Sequence, residues 1–244
     1  MSLETAIDRT IKRVAPIHGV IAVLLTGSAV RGELLPHSDY DFLVLIDDAV
    51  PWPMPFRDGG REAYIDDEGR QVEIGYGSLR RTRAKIAETV AQGVPFRAEG
   101  LVEGRVLLRH GEAIEALIAE ARTILADVPP EIDPQDRLWE CYDIWNQLKD
   151  LQDVVDDAAT AALVAPPLFD HLLRFYFRLE RRWLPRPKAL MRALEDTHAE
   201  YHALALVYVK APTDGERVRA LEAMMAYLAR RFDLIFETGY ASGR

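Results

Sequence analysis

Cysteine is nearly missing from this chain: Cys141 is the only one in 244 residues, so no internal disulfide can form. No apolar run approaches twenty residues, and the first twenty positions mix acids and bases with apolar side chains. Neither a membrane span nor a signal peptide is expected, and a cytoplasmic location follows as the working expectation. Basic charge is scarce as well. Thirty lysines and arginines stand against thirty-nine acids, a net charge of −9, whereas nucleic-acid binders normally carry a basic footprint. There is no grouping of histidine and cysteine at ligand spacing, which argues against zinc. Internal repeats and low-complexity tracts are absent too, so the chain is not a repeat array.

What remains is an ordinary globular balance, about half apolar and a little over a quarter charged. Leu3, Ile7, Ile11 and Val14 recur at helical spacing and predict an opening helix over 3–15. Residues 19–25 and 40–46 are short continuous apolar runs, read as buried strands, with a Gly-Ser turn and a short helix between them. The prolines and glycines of 48–60 mark a loop, and 61–66 with 70–76 flank Asp67-Glu68-Gly69 as a hairpin. Helices at 79–91 and 112–126 enclose a strand at 104–109. Three prolines in 127–134 mark a linker, and beyond it the pattern is helical throughout, at 135–158, 167–183, 188–209 (with a possible break) and 214–237. Leu138, Tyr142, Trp145, Leu148 and Val155 trace an apolar face on the first of these. The fold class expected is α/β in the α+β sense: a small mixed-sheet domain at 1–127 and an all-α bundle at 135–244.

The chemistry concentrates at 26–46, TGSAVRGELLPHSDYDFLVLI. A strand period of two puts Asp39 and Asp41 on one face, about 7 Å apart. An Asp-x-Asp pair is common in so acidic a chain, but this one enters the apolar run Phe42-Leu43-Val44-Leu45-Ile46. Two carboxylates there cost several kcal/mol in desolvation and repulsion unless a cation neutralises them. Oxygen ligands favour Mg²⁺, and paired ions about 3.5–4 Å apart serve in-line displacement at phosphorus. Gly27 allows close backbone approach, and Ser28 can donate to phosphate; a plain helix cap is the competing reading. Arg31 is a candidate bidentate phosphate donor. Ser38 is placed to cap the turn entering the carboxylate strand.

Gly-Ser, Arg-Gly and then Ser-Asp-x-Asp entering an apolar strand resembles the DNA polymerase β-like nucleotidyltransferase superfamily. Thr26-Gly27-Ser28-Ala29-Val30-Arg31-Gly32 and Ser38-Asp39-Tyr40-Asp41 carry the likeness. The resemblance implies a third acid on a later strand, and Glu73, in Gln71-Val72-Glu73-Ile74-Gly75, satisfies it, although aspartate is frequent there. It implies that Asp39, Asp41 and Glu73 hold two Mg²⁺ ions, with Glu73 helping to deprotonate the acceptor hydroxyl. Gly27 and Ser28, with Arg31 and Ser38 nearby, would hold the nucleoside triphosphate, expected to be ATP, and pyrophosphate would leave.

A sheet domain followed by a bundle resembles the aminoglycoside and lincosamide nucleotidyltransferases, which implies a small-molecule acceptor. The acids between Glu131 and Asp157, offset only by Arg137 and Lys149, suit a polycation; a solvated helix face explains them equally well. Glu140 or Asp143 could act there as general base, and Lys188 could reach the triphosphate or simply be exposed. A basic block runs from Arg174 to Arg192. Arg192 and His198, spaced Arg-x5-His, resemble the signature of HEPN-type ribonuclease domains, a spacing that also arises by chance. His37 and His110 read as loop residues. Two other functions stay open: adenylylation of a protein, as in toxin–antitoxin regulators, and an idle nucleotide fold carrying an interaction module. Neither nucleic acid nor membrane is an expected partner, and oligomeric state is not legible.

Overall fold

The computed structural model describes residues 2–236 and divides into two compact units, Met1–Asp127 and Val128–Arg244. In the first unit, helix α1 (Leu3–Val14) starts where the Ser2 hydroxyl accepts the Thr5 N–H, and it buries Ala6, Ile7, Thr10 and Val14. Strand β1 (Val20–Thr26) leads into the one-turn helix α2 (Ser28–Arg31), and β2 (Tyr40–Ile46) returns antiparallel to β1. Strands β3 (Arg61–Ile65) and β4 (Gln71–Ser78) form the expected hairpin. Its turn closes on Asp66, whose Oδ1 accepts the Glu68 and Arg70 N–H groups at 2.9 and 2.8 Å. Helices α3 (Leu79–Ala91) and α4 (Phe96–Val102), strand β5 (Arg105–Arg109) and helix α5 (Ala113–Ala126) complete the unit.

The sheet order is β3-β4-β2-β1-β5, with β2 and β4 parallel and the other neighbours antiparallel. Alternation sorts the central strands onto two faces. Val23, Leu25, Phe42, Val44, Val72 and Ile74 pack with α1 on one face. Ala22, Leu24 and Leu45 face the other way, onto Leu79, Ile86, Leu101 and Leu117 of the remaining helices. Each fully buried branched residue contributes about 1.5–3 kcal/mol relative to exposure.

The loop at 48–60 is packed despite its irregular backbone. Trp52 donates to the Phe56 carbonyl at 2.5 Å, Phe56 lies against Tyr76 with ring centroids 5.2 Å apart, and both Asp58 oxygens accept from Ser78. Helix α4 is an addition to the elements expected from the sequence. It spans under two turns and contains Gly100, so no helical period shows in it.

The second unit is helical throughout its described residues: α6 (Pro134–Asp153), α7 (Ala158–Leu179), a 3₁₀ turn (Pro187–Ala189), α8 (Leu190–Thr197), α9 (Ala199–Lys210) and α10 (Asp214–Phe232). Two boundaries correct the sequence reading. Helix α6 ends at Asp153, not 158, and α7 starts at Ala158, not 167. Asp157 caps α7 through its side chain, the alanines that follow sustain it, and Pro166 and Pro167 sit inside it. The buried stripe of α6 is Cys141, Ile144, Leu148 and Leu151, rotated from the expected face, and Val155 falls outside the helix. The expected final helix ended at 237; that position, like the last eight residues of the expected bundle, lies outside the described residues.

Candidate active site

Strand pairing brings the acids together. The register sets Thr26 of β1 opposite Asp41 of β2, and Asp41 beside Glu73 of β4. Val72 and Ile74 are fully buried on the α1 face, so Glu73 points to the opposite face, the side that Leu43 and Leu45 share with Asp41. Asp39 immediately precedes β2 and is half-buried. Burial pushes the Asp41 carboxyl up from 3.8 to about 6, helped by the charges of Asp39 and Glu73 and only partly opposed by Arg61 and Arg31. Glu73 meets Arg61, whose Nη1 lies 2.8 Å from its Oε1.

The Gly-Ser turn is built against this cluster. Gly27 has φ +73°, and a Cβ there would lie 2.2 Å from Asp41 Oδ2. Only glycine accommodates both the backbone conformation and the carboxylate beneath it. Thr26 donates to the Asp41 carbonyl at 3.4 Å. Ser28 opens α2 and is partly exposed.

The other expected ligands have protein partners. Arg31 bonds Glu33 at 2.7 Å and Glu103 at 3.3 Å. The Ser38 hydroxyl accepts the Leu35 N–H at 2.9 Å and fastens the turn before Asp39, while its carbonyl accepts from Arg70. Among the described residues no three His, Cys, Asp or Glu side chains are drawn into an ion-holding group. The donor set nevertheless suits a hard cation: three carboxylates on or beside neighbouring strands, one with its pKa raised by burial and by the adjacent acids.

Asp41 and Glu73 also form one end of a cavity of about 290 Å³. Its floor is the backbone of β4 at Gly75 and Gly77, and its walls include Arg81 and Lys85 of α3 and Arg97 of α4. The sequence reading missed these residues. Arg81 and Lys85 are four apart on α3, a spacing that places them on one face, but nothing local shows that α4 closes the opposite wall.

In the second unit, Glu140 is engaged rather than free. It accepts from His171 Nε2 at 2.6 Å and from Arg178 Nη1. Burial raises its pKa, but the His171 hydrogen bond and the Arg178 charge outweigh burial and hold it below the ordinary value. A carboxylate so stabilised is a weak general base. Asp143 is exposed, as are His37 and His110. Lys188 is exposed in the 3₁₀ turn and has no hydrogen bond or ion pair among the described residues. Arg192 is exposed, whereas His198 turns inward onto the Tyr176 ring, 5.0 Å between centroids. The described contacts do not join the two.

Residues 7–107 match the family model of the nucleotidyltransferase domain. That match lies within the first unit. The chain is 32% identical over 131 residues to a bifunctional uridylyltransferase/uridylyl-removing enzyme of Burkholderia vietnamiensis (strain G4 / LMG 22486), an alignment covering 47% of this chain. The chain spans only 15% of that relative's length. A crystal structure of a nucleotidyltransferase-like protein from Exiguobacterium sibiricum 255-15 superposes with a TM-score of 0.53, covering 93% of this chain and 76% of that one. At 11% identity this second likeness concerns the fold alone. The fold is thus similar to that of a nucleotidyltransferase-like protein, in keeping with the Gly-Ser and Asp-x-Asp spacing. No described helix is long and apolar enough to cross a membrane.

Proposed function

We propose that the chain transfers a nucleoside monophosphate from a nucleoside triphosphate to a hydroxyl of a small molecule, releasing pyrophosphate. One observation carries the reading: Asp41 and Glu73 stand side by side across β2 and β4, with Asp39 next to them and the Gly27 turn pressed onto Asp41. Asp39, Asp41 and Glu73 would hold two Mg²⁺ ions. When bound, Mg²⁺ supplies Lewis acidity at the α-phosphoryl group and makes the acceptor hydroxyl easier to deprotonate. The chain's own residues do the rest. Gly27 and Ser28 offer backbone and hydroxyl donors to the phosphates, close beside Asp41. Glu73, released from Arg61, can take the hydroxyl proton. Rigid strands fix these groups relative to one another, so positioning and charge neutralisation carry the catalysis.

ATP is the expected donor by resemblance, and the Burkholderia uridylyltransferase makes UTP the competing choice. Incubation with Mg²⁺, each of four α-labelled triphosphates and a panel of hydroxylated small molecules or cell lysate tests the reading. Label on a small molecule with release of pyrophosphate is the expected result, and the preferred base is read directly. Label on protein alone would move the assignment to a protein-modifying regulator. Absence of transfer with every triphosphate would leave an idle nucleotide fold.

A further inference from the structure

We infer that the acceptor of this reaction is an anionic molecule, bearing a phosphate or carboxylate group that docks in the cavity between β4 and helices α3 and α4. The inference rests on the proposed nucleotidyl transfer and names its substrate class. The cavity adjoins Asp41 and Glu73 directly, so a group held there lies next to the reacting phosphorus. It is not a packing defect of the ordinary kind. Gly75 and Gly77 leave β4 without side chains on this face. A Cβ at Gly75 would meet nothing closer than the Phe42 carbonyl at 3.8 Å, so close packing does not require the glycine, whereas an open floor does.

The walls set the chemistry. Arg61, Arg81, Lys85 and Arg97 line the cavity. Arg61 is paired with Glu73, and Lys85 with Glu88 at 2.5 Å. The guanidinium groups of Arg81 and Arg97 make no hydrogen bond or ion pair among the described residues. Once Asp41 and Glu73 are neutralised by cations, as nucleotidyl transfer requires, Glu88 alone stands against Lys85, Arg81 and Arg97, and the lining is net positive. Such a pocket attracts anions and repels polycations. Guanidinium pairs hold planar oxyanions through two parallel hydrogen bonds. The volume is at the small end for a ligand pocket, which suits a phosphorylated or carboxylated compact molecule more than a multi-ring antibiotic.

Titration calorimetry on the whole protein tests this, with Mg²⁺ and a non-hydrolysable triphosphate analogue at saturation and glycerol 3-phosphate as the probe. Glycerol and kanamycin serve as the neutral and polycationic comparators. Glycerol 3-phosphate should bind, and glycerol and kanamycin should bind at least about tenfold more weakly. Arg97→Ala and Arg81→Ala should each weaken the probe about tenfold while changing the analogue's affinity less than about twofold. Arg81 packs close to Gly59, so Arg97→Ala, at an exposed position, keeps the test sound if Arg81→Ala fails to fold. Gly75→Leu should fill the cavity and abolish probe binding with the analogue retained. Equal binding of glycerol and its phosphate would overturn the inference, and so would preferential binding of kanamycin. Equal loss of analogue and probe in the arginine variants would assign the cations to the triphosphate instead. An analogue that fails to bind wild-type protein would strike at nucleotidyl transfer itself, a distinct failure, since the probe can be titrated without it.

Discussion

Two partly buried carboxylates, one in each unit, are treated in opposite ways. Asp41 sits among other acids, and its pKa rises to about 6. Glu140 is shielded too, with its side chain 24% exposed, but His171 and Arg178 satisfy it and its pKa falls. Burial pushes both the same way, so the neighbours decide the sign. A protein that needs a buried acid only for architecture supplies the countercharge itself. Asp41 is left short of countercharge, which is what the proposed Mg²⁺ site would draw on.

The contrast can be broken experimentally, and the largest effect is expected on catalysis. Asp41→Asn should lower the rate of pyrophosphate release by about three orders of magnitude. Retention of a tenth of the wild-type rate would remove Asp41 from the site. Next in size is the architectural acid. Glu140→Ala should lower unfolding free energy in urea by about 2 kcal/mol, because Arg178 keeps its charge and loses its partner; an unchanged midpoint would show that solvent already satisfies the pair.

Gly27→Ala should cost about 1–2 kcal/mol, from the strained positive φ and the close approach to Asp41. It should also depress transfer, since the new methyl group must displace the carboxylate. A variant with wild-type melting temperature and rate would contradict that packing.

The smallest effect distinguishes the acids by pH. Folded Asp41 binds its proton more tightly than the unfolded chain does, so between about 3.8 and 6 the folded state holds more protons. Without divalent ions its contribution to stability therefore declines as pH rises through that window, by about 1 kcal/mol after allowance for solvent screening. Glu140 contributes in the reverse sense: its stabilisation is present above the ordinary glutamate pKa and is lost as pH falls through the lowered one. Comparing urea midpoints of wild type and Asp41→Asn from pH 4 to 7.5 isolates the first slope. Mg²⁺ should stabilise the wild type more at pH 7.5 than at pH 5, and equal stabilisation at both would detach the ion from Asp41.

Much of this was readable along the chain because it is written in short periods. The apolar runs at 19–25 and 40–46 place two strands, and the alternation Val72-Glu73-Ile74 turns Glu73 away from its apolar neighbours without any tertiary information. Gly27 could be suspected as a turn glycine, but the Asp41 oxygen beneath it belongs to another strand. The helical pattern at 167–183 leaves out the first turns of α7, which the Asp157 cap and the following alanines start at Ala158 and which run on through Pro166 and Pro167. The Glu140 pairing joins α6 to α7, and the cationic cavity joins β4 to two helices. Neither has a local period to betray it.

The parallel pairing of β2 with β4 has a kinetic meaning. Two parallel neighbours cannot be joined by a tight turn, and here the loop at 48–60 and all of β3 intervene between Asp41 and Glu73. The two acids become neighbours only when this long-range zipper closes, a late and slow event in sheet formation. Partly folded chains therefore hold every motif residue and still lack the pair, which makes the proposed transfer activity, followed during refolding, a clock for closure of the central sheet.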